Sequence, residues 1–238
     1  MSNYKDTYEQ NGYLVVKDLF SEEECMNLSF EAHGIANGYY CNILNIHVKS
    51  EMFFNLSLNP KIVSIADELG GATMIPIGSI LFFCKPGNEL EKGSNFHQDN
   101  YAAKAPYGSY MSCGVAIDQA DAQNGSLVVY PGTHKLGELP NLPNKNFETD
   151  EAGNISKAYP IGNIVEIPSG YDPVQLDLPR GSVVFIHGHI IHGAPENPST
   201  LRWRRKVYIN YIKDGDPFWP GWNGRRQLID RNSKFQNI

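Results

Sequence analysis

The sequence predicts a mainly β protein, a sandwich or barrel-like jelly roll that stands behind an N-terminal layer of helices. Helical patterns with capping signals dominate residues 1–71, and short runs rich in β-branched and aromatic residues follow from Ala72 onward, separated by Gly, Pro and Asn turns. The chain has 238 residues, of which 41% are hydrophobic and 19% are charged. A chain of this size and composition buries one large core, so we expect a single domain over residues 1–238.

Capping signals define the helical layer. Ser21 and Glu24 form a capping box at the start of SEEECMNLSFEAHG, and Gly34 suits the C-terminal cap of that helix. A later segment, NPKIVSIADELGG, repeats this plan. The first segment, NYKDTYEQNG, is predicted to be a short helix that Gly12 ends, and the strand-like GYLVVKDLF follows it.

Five segments in the second part of the chain are predicted to be strands. They are MIPIGSILFFCK, SYMSCGVAID, GSLVVYPGTH, GSVVFIHGHIIHG and RKVYINYIK. Short strands separated by such turns are typical of a sandwich or a jelly roll. The tail after the last strand is rich in turn-forming and aromatic residues, and we expect it to pack on the outside.

Charge and cysteine usage argue against several classes of function. The formal net charge is -6 and the one basic cluster, RWRRK, is short, so we expect no nucleic-acid or membrane partner. The four cysteines form no CxxC pair, which argues against a zinc knuckle or a thioredoxin motif. We find neither a signal-peptide pattern nor the ~20 apolar residues of a spanning helix. We expect a cytoplasmic monomer or homodimer whose partner is a small-molecule substrate.

Two residues of the segment FHQDNY suggest a metal site. His97 and Asp99 stand two positions apart, so on an extended strand their side chains share one face. A distant histidine would complete a set of two imidazoles and one carboxylate, and the candidates are His187, His189 and His192. This set is typical of the facial triad of non-haem Fe(II) enzymes, which leaves positions open for a chelating cosubstrate and for O2.

The order of several motifs resembles the phytanoyl-CoA dioxygenase family of iron(II)/2-oxoglutarate oxygenases. The resemblance runs through most of residues 7–212, and its most specific blocks are HQDNY, NGSLVVYPGTHK and HGAPENPS. It implies a double-stranded β-helix core, that is, a cupin-like jelly roll, with Fe(II) as the metal, 2-oxoglutarate as the cosubstrate and O2 as the oxidant. The implied reaction is hydroxylation of an unactivated C–H bond of a small metabolite or natural product, with release of succinate and CO2.

The resemblance implies that His97, Asp99 and His192 are the metal ligands. His187 falls on a histidine of the family that does not bind metal, and His189 falls on a variable position. A weaker argument from the residues agrees with this choice. His192 precedes the turn-rich segment GAPENPS, at a strand end where a site could open, whereas the other two histidines lie inside the predicted strand.

An arginine for the distal carboxylate of 2-oxoglutarate is also implied, because that group needs a planar, bidentate cation. Arg204 matches the family position best, and Arg202 and Arg205 are the competitors. Family members often carry a serine where this chain has Ala194, so another hydroxyl is expected to compensate. The candidate donors are Ser79, Tyr101, Ser112 and Tyr208.

Substrate contacts are expected around the same cavity. Many family members carry a tryptophan where this chain has Gly114, so we expect a larger cavity near the cosubstrate. The candidate pocket residues are Asn45, His47, Tyr101, Tyr110 and Trp203.

Three alternative functions remain open at this stage. A cupin-like metalloenzyme that does not use 2-oxoglutarate would keep the ligands but would not need Arg204. A non-catalytic sensor would bind iron and 2-oxoglutarate without consuming them. An oxidative halogenase would need an open coordination position where Asp99 stands.

Overall fold

An antiparallel sheet of six strands lies between a layer of helices and a smaller sheet of four strands. The computed structural model describes residues 4–40, 42–87, 93–142, 147–149, 155–158, 163–221 and 224–236. The arrangement agrees with the predicted mainly β fold and its N-terminal helical layer. None of the helices in these ranges is long and apolar enough to cross a bilayer.

Most of the helices precede the long strands, as the sequence predicts. The helices are α1 (Tyr4–Asn11), α2 (Glu22–Ala36), α3 (Glu51–Ser57), α4 (Pro60–Gly70) and α5 (Asn100–Ala103), with 3-10 turns at Ile46–Val48, Ala122–Asn124 and Thr133–Leu136. The strands are β1 (Tyr13–Val16), β2 (Ile43–Leu44), β3 (Met74–Phe82), β4 (Ser94–His97), β5 (Tyr110–Ala116), β6 (Val128–Val129), β7 (Asn141–Leu142), β8 (Phe147–Thr149), β9 (Ile155–Ala158), β10 (Ile164–Val165), β11 (Val174–Gln175), β12 (Val183–His187), β13 (His192–Ala194) and β14 (Lys206–Lys213).

Strands that are distant in sequence become neighbours in both main sheets. The six-stranded sheet has the order β1-β12-β5-β14-β3-β2, and the four-stranded sheet has the order β11-β6-β13-β4. Two further pairs, β10-β7 and β8-β9, stand apart from these sheets. Every described pairing is antiparallel, which is typical of a jelly roll.

The two faces of the six-stranded sheet have different roles. On β14, Val207, Ile209 and Tyr211 belong to the main core, which packs against the helices. Tyr208, with the opposite orientation, packs against a second core between the two sheets. We call the face that carries Tyr208 the inner face and the other the helix-facing side. Because side chains alternate along a strand, register alone decides which residues reach the space between the sheets.

The predicted capping signals are confirmed, except for one helix end. The Ser21 hydroxyl accepts a hydrogen bond from the backbone N–H of Glu24, whose carboxylate accepts one from the N–H of Ser21. The assignment of Gly34 as the cap is wrong, because α2 continues to Ala36 and Asn37 adopts the left-handed conformation at φ 45°. Asparagine takes this conformation at lower cost than most residues, so the helix gains two residues beyond the glycine.

The predicted strand GSVVFIHGHIIHG is two strands. β12 ends at His187 in the six-stranded sheet, and β13 begins at His192 in the four-stranded sheet. Gly188 permits the crossing between them, since a Cβ atom there would lie 2.9 Å from the carbonyl oxygen of Tyr110. The chain therefore passes from one sheet to the other inside one apolar run. Strand propensity alone predicts that this run is a single continuous strand.

Three buried histidines lie together beneath α1. The ring of His187 lies 5.1 Å from the ring of His134 and 5.5 Å from that of His189. Nε2 of His134 donates to the carbonyl of Glu9 in α1, and Nδ1 of His187 accepts from the backbone N–H of His189. Burial lowers the pKa of all three, that of His187 to about 3, so the cluster is neutral in the folded protein.

The histidine cluster predicts that acid destabilises the fold. His187 takes up a proton near pH 6.5 in the unfolded chain but only near pH 3 in the folded chain, so the free energy of unfolding falls as the pH drops below 6.5. At about pH 5 this residue alone lowers the free energy of unfolding by about 2 kcal/mol. We expect His187→Asn, which keeps an acceptor for the N–H of His189, to remove that part of the pH dependence in urea unfolding. An unchanged pH dependence would contradict this account.

Candidate metal centre

His97, Asp99 and His192 bring one donor atom each to a common point. Nε2 of His97 lies 3.4 Å from Oδ1 of Asp99, and Nε2 of His192 lies 3.7 Å from the same oxygen. The three donor atoms lie within 4.8 Å of one another, and no other such group of three His, Cys, Asp or Glu side chains occurs within the described ranges. The structure therefore brings together the three predicted ligands.

The backbone places these donors differently from the predicted single strand. His97 is the last residue of β4, whereas Asp99 lies beyond the strand at φ -65° and ψ -35°, just before α5. His192 begins β13 and is the direct cross-strand partner of His97. Two of the candidate ligands thus come from a strand pair and the third from the turn that follows one of these strands.

Hydrogen bonds fix the tautomers of both imidazoles. Nδ1 of His97 lies 2.7 Å from the carbonyl oxygen of Asn95, and Nδ1 of His192 lies 3.1 Å from that of Ile190. A carbonyl can only accept, so each Nδ1 carries a hydrogen and donates it. Both Nε2 atoms therefore face the shared oxygen of Asp99, and in the neutral imidazoles they carry the lone pairs that a metal ion requires.

A polar network from the inner face holds the carboxylate. The Ser112 hydroxyl donates to Oδ2 of Asp99 at 2.5 Å. The same hydroxyl lies 3.2 Å from the side-chain amide oxygen of Asn210 and 3.5 Å from the hydroxyl of Tyr110. Ser112 and Asn210 are direct partners across β5 and β14, so the register of the six-stranded sheet positions this contact. Oδ1 of Asp99 remains directed at the imidazoles.

Burial and mutual charge set the protonation of the triad. Burial acts to raise the pKa of Asp99, but the imidazoles and Ser112 outweigh it and hold this pKa well below its ordinary value. Burial lowers the pKa of His192 to about 4, despite the opposing charge of Asp99. For His97, burial acts to lower the pKa, but Asp99 outweighs it and raises the pKa. Near neutral pH the site offers a carboxylate and a neutral His192 to a cation.

Two of the candidate arginines are engaged elsewhere. Arg202 forms an ion pair with Asp121, with NH2 2.7 Å from Oδ2. Arg205 pairs with the buried Asp118, with NH2 2.7 Å from Oδ1 and Nε 2.7 Å from Oδ2. These bidentate pairs fix both guanidinium groups on protein carboxylates.

Arg204 is the most deeply buried of the three arginines, with 2% of its surface exposed. Its NH1 and NH2 atoms both donate to the carbonyl oxygen of Pro195 at 3.2 Å, and NH2 lies 3.4 Å from Sγ of Cys84. Pro195 follows β13 directly. The guanidinium is therefore held against the strand that begins with His192.

A cavity inside the jelly roll adjoins Arg204. Its lining includes Gly114, Lys206 and Tyr208. The expected enlargement at Gly114 is offset, because a Cβ atom there would lie 2.7 Å from Cε1 of Tyr208, whose ring takes up the space. Burial raises the pKa of Tyr208, and the charges of both Asp99 and Arg204 act on its hydroxyl. Tyr208 thus lines the same cavity as Arg204 on the inner face.

Three predicted site residues lie on the helix-facing side. Ser79 is the cross-strand partner of Ile209, which belongs to the main core, so its side chain turns away from the triad. The Ser79 hydroxyl lies 2.7 Å from Nδ1 of His47, whose pKa burial lowers to about 4. Trp203 packs edge-on to His33, with ring centroids 5.3 Å apart. The structure does not bring these residues to the metal centre.

Two predicted pocket residues lie on the inner side. Tyr110 is buried, with its hydroxyl beside Ser112. Oδ1 of Asn45 lies 3.5 Å from the Cβ position of Gly78, and Gly78 is the cross-strand partner of Asn210. Both side chains are therefore placed near the polar network that holds Asp99.

The last predicted hydroxyl donor is Tyr101. Tyr101 lies in α5, and Nζ of Lys104 stands 3.8 Å from its ring centroid, so the ring is engaged in a cation–π contact. Beside Ala194, where the family often has serine, Oγ of Ser94 accepts a hydrogen bond from the backbone N–H at 2.9 Å. A hydroxyl therefore stands close to that position, from a residue that sequence reasoning did not select.

Sequence reasoning also missed two further residues. Asn210 contacts Ser112, and alternation along RRKVYINY places it on the same face as Tyr208, which is the signal that could have selected it. Arg226 is buried in the C-terminal tail, where a pair of adjacent arginines was the available signal and gave no information on depth.

The sequence profile described as Phytanoyl-CoA dioxygenase (PhyH) matches residues 27–206. The chain belongs to the phytanoyl-CoA dioxygenase family. The resemblance that the motifs predicted is confirmed, and all three triad residues of this PhyH family member lie within the matched range.

Curated relatives cover most of the chain at low identity. The peroxisomal phytanoyl-CoA dioxygenase of Rattus norvegicus is 27% identical over 236 residues, which cover 86% of this chain and 66% of the relative. The ectoine dioxygenase of Stutzerimonas stutzeri is 24% identical over 217 residues, with coverage of 81% and 70%. The chain thus spans about two thirds of the length of the rat relative.

Solved structures share the fold. The non-heme alpha ketoglutarate dependent epimerase SnoN matches with a TM-score of 0.71 and 18% identity, over 98% of this chain and 91% of SnoN. EctD from S. alaskensis with bound Fe matches with a TM-score of 0.68 and 17% identity, over 90% and 76%. The predicted cupin-like jelly roll of this PhyH family member is therefore confirmed.

The network around Asp99 predicts a graded effect on metal affinity. We expect Ser112→Ala to weaken the binding of a divalent metal about tenfold or more, because the carboxylate loses the hydrogen bond that orients it. Calorimetric titration with Co(II) or Zn(II) measures the change.

Ser109→Ala is the matched control for this substitution. Ser109 and Ser112 are both 1% exposed, but the Ser109 hydroxyl has no hydrogen-bond partner within the described part of the chain. The control should leave metal affinity unchanged. An equal loss in both variants would show that Ser112 acts through general packing.

Proposed function

We propose that this chain is an iron(II)- and 2-oxoglutarate-dependent dioxygenase that hydroxylates an unactivated C–H bond of a small molecule, with release of succinate and CO2. The observation that carries the proposal is the pair of imidazoles whose Nδ1 atoms donate to backbone carbonyls and whose Nε2 atoms face one oxygen of Asp99. Family membership and the buried Arg204 beside the cavity support it.

The donor set fits Fe(II). Two imidazole nitrogens and one carboxylate oxygen are the ligands of the facial triad, and three protein ligands leave adjacent positions for a chelating keto acid and O2. Among the proteins of like fold, EctD is described with bound Fe and SnoN with Fe3+ and alpha ketoglutarate. Bound iron would supply the activation of O2 and the oxidative decarboxylation, which no side chain here provides.

The residues around the triad would orient the metal ligands and the cosubstrate and would exclude water. The carbonyls of Asn95 and Ile190 and the hydroxyl of Ser112 hold the three ligands in orientation. Arg204 would bind the distal carboxylate of 2-oxoglutarate through paired charge-assisted hydrogen bonds. Apolar residues such as Val184 line the same cavity and exclude water from the cosubstrate.

We place the substrate among small metabolites or natural products. A curated relative is an ectoine dioxygenase, and proteins of like fold include the epimerase SnoN and the carbocyclase SnoK from nogalamycin biosynthesis. Hydroxylation is preferred to halogenation because Asp99 occupies the position that a halide ligand would need. A metalloenzyme without 2-oxoglutarate would not need an arginine beside the cavity, whereas Arg204 lines it.

Succinate formation tests the proposal directly. Protein with Fe(II), 2-oxoglutarate and O2 is incubated with a panel of metabolites, and we expect succinate to rise with one substrate class and 18O from O2 to enter the product. His97→Ala, Asp99→Ala and His192→Ala should each abolish metal binding and this succinate. A halogenated product would contradict hydroxylation, and metal binding that depends on His189 in place of His192 would contradict the ligand assignment.

The cosubstrate slot predicts a large effect at Arg204. Truncation of one partner of a buried charge pair costs about 2–5 kcal/mol, so Arg204→Ala should raise the apparent 2-oxoglutarate constant by about tens to thousands of fold. Arg204→Lys should restore part of the affinity, since an ammonium cannot reproduce the bidentate fork.

Arg202→Ala is the control for this series, because Arg202 pairs with Asp121 and does not line the cavity. It should leave the constant within a few fold, and metal binding should survive all three substitutions. A sensitive Arg202 with an insensitive Arg204 would place the cosubstrate elsewhere.

A further inference from the structure

The guanidinium of Arg226 is buried, and no described residue supplies a counter-ion for it. The residue is 7% exposed, its Nε atom has no hydrogen-bond partner, and no carboxylate within the described ranges forms an ion pair with it. A buried cation is costly unless an anion or several acceptors compensate it. The neighbouring Arg225 is exposed, so burial at this point is specific to one of the two arginines.

Hydrogen bonds hold the tail that carries Arg226 in a fixed position. The N–H of Trp219 donates to the carbonyl of Ala103 at the end of α5, at 2.6 Å. The N–H of Gln227 donates to the carbonyl of Ile77 in β3, at 3.0 Å. The side chain of Asn45 donates to the carbonyl of Arg225 at 2.8 Å. The tail thus spans from the helix that follows Asp99 to the middle of β3.

These contacts place Arg226 beside the metal centre. The carbonyl of Arg225 is bound by Asn45, whose Oδ1 lies 3.5 Å from the Cβ position of Gly78, the cross-strand partner of Asn210. Ile77, whose carbonyl binds the N–H of Gln227, packs in one cluster with Tyr110. In agreement with this placement, burial and the charge of Asp99 raise the pKa of Tyr110, and the charge of Arg226 opposes them. The Tyr110 hydroxyl lies 3.5 Å from Oγ of Ser112, which donates to Asp99.

Arg204 lies at a different part of the site. It contacts Cys84 and Pro195 and its charge acts on Tyr208, whereas Arg226 belongs to the tail segment that binds Ile77 of β3, and its charge acts on Tyr110. The triad therefore has one buried guanidinium on the cosubstrate side and another on the side of Tyr110. Each can serve a different anion.

We infer that Arg226 binds a carboxylate of the substrate, and that the substrate is a small carboxylic acid held on the Tyr110 side of the triad. The inference rests on the proposed function and names its substrate class. The planar fork of a guanidinium matches a carboxylate through two parallel hydrogen bonds, and the Tyr110 hydroxyl offers a further donor nearby. The carboxylate would supply the counter-charge that Arg226 does not find among the described residues.

Nuclear magnetic resonance of the arginine Nε–H groups tests this assignment. The sample is the full chain with Zn(II) in place of iron and saturating 2-oxoglutarate, so that the cosubstrate slot is filled. Acetate, benzoate and hexanoate are titrated, each with its primary amide as control. We expect the carboxylates to shift the Arg226 resonance with dissociation constants lower than those of the amides by about tenfold or more.

Substitutions identify the residue that responds. Arg226→Gln should remove the resonance and the carboxylate binding, whereas Arg225→Gln, at the exposed neighbour, should keep both. If Arg226→Gln fails to fold, the titration of the parent chain decides, with Arg226→Lys used for assignment.

Three results would overturn the inference. The first is a shift of the Arg226 resonance by the amides that is as large as the shift by the acids. The second is loss of carboxylate binding in the Arg225→Gln variant. The third is binding of 2-oxoglutarate itself to Arg226. Calorimetry on the same samples separates this failure from that of the proposed function. Loss of Zn(II) or 2-oxoglutarate binding in the parent chain would refute the proposed function, whereas intact binding with no carboxylate response would refute only the role of Arg226.

Discussion

The pairing of β4 with β13 is the constraint on which the site depends. It sets His97 directly opposite His192, so that two candidate ligands from distant parts of the chain share one side of the four-stranded sheet. A slip by one residue would turn one imidazole to the other face. Gly193 permits the close approach, since a Cβ atom there would lie 2.9 Å from the Phe96 ring and 3.0 Å from the Asn95 carbonyl oxygen. That carbonyl also fixes the tautomer of His97.

Local signals were sufficient where local physics decides the structure. The capping box at Ser21 is made by groups three residues apart, and the alternation of β14 follows from strand geometry. The candidate ligands could be selected because the family motif specifies which residues occupy those positions. The conformation of Asp99 was not found, because its helical dihedrals depend on the α5 turn and on the distant Ser112.

The other differences between the sequence predictions and the structure arise from strand register and from the passage of the chain from one sheet to the other. Ser79 and Ser112 both lie in apolar strands, and the sequence could not show that one faces the helices and the other the triad. The break between His187 and His192 lies in an unbroken apolar run, where the change of sheet depends on the close packing of Gly188 against Tyr110. The burial of Arg226 depends on backbone hydrogen bonds from the tail to β3. No periodic pattern in the sequence of the tail predicts these bonds.

The contact of Arg204 with the Pro195 carbonyl ties the guanidinium to the strand that begins at His192. Within the proposed function, the metal ligand His192 and the arginine for the distal carboxylate of the keto acid are therefore connected through one short segment, which limits how far their separation can change. The distance between the metal and the guanidinium would then determine which chain length of keto diacid can bind. A keto diacid with one methylene more or fewer would satisfy the metal or the arginine but not both, so cosubstrate choice is a property of this strand.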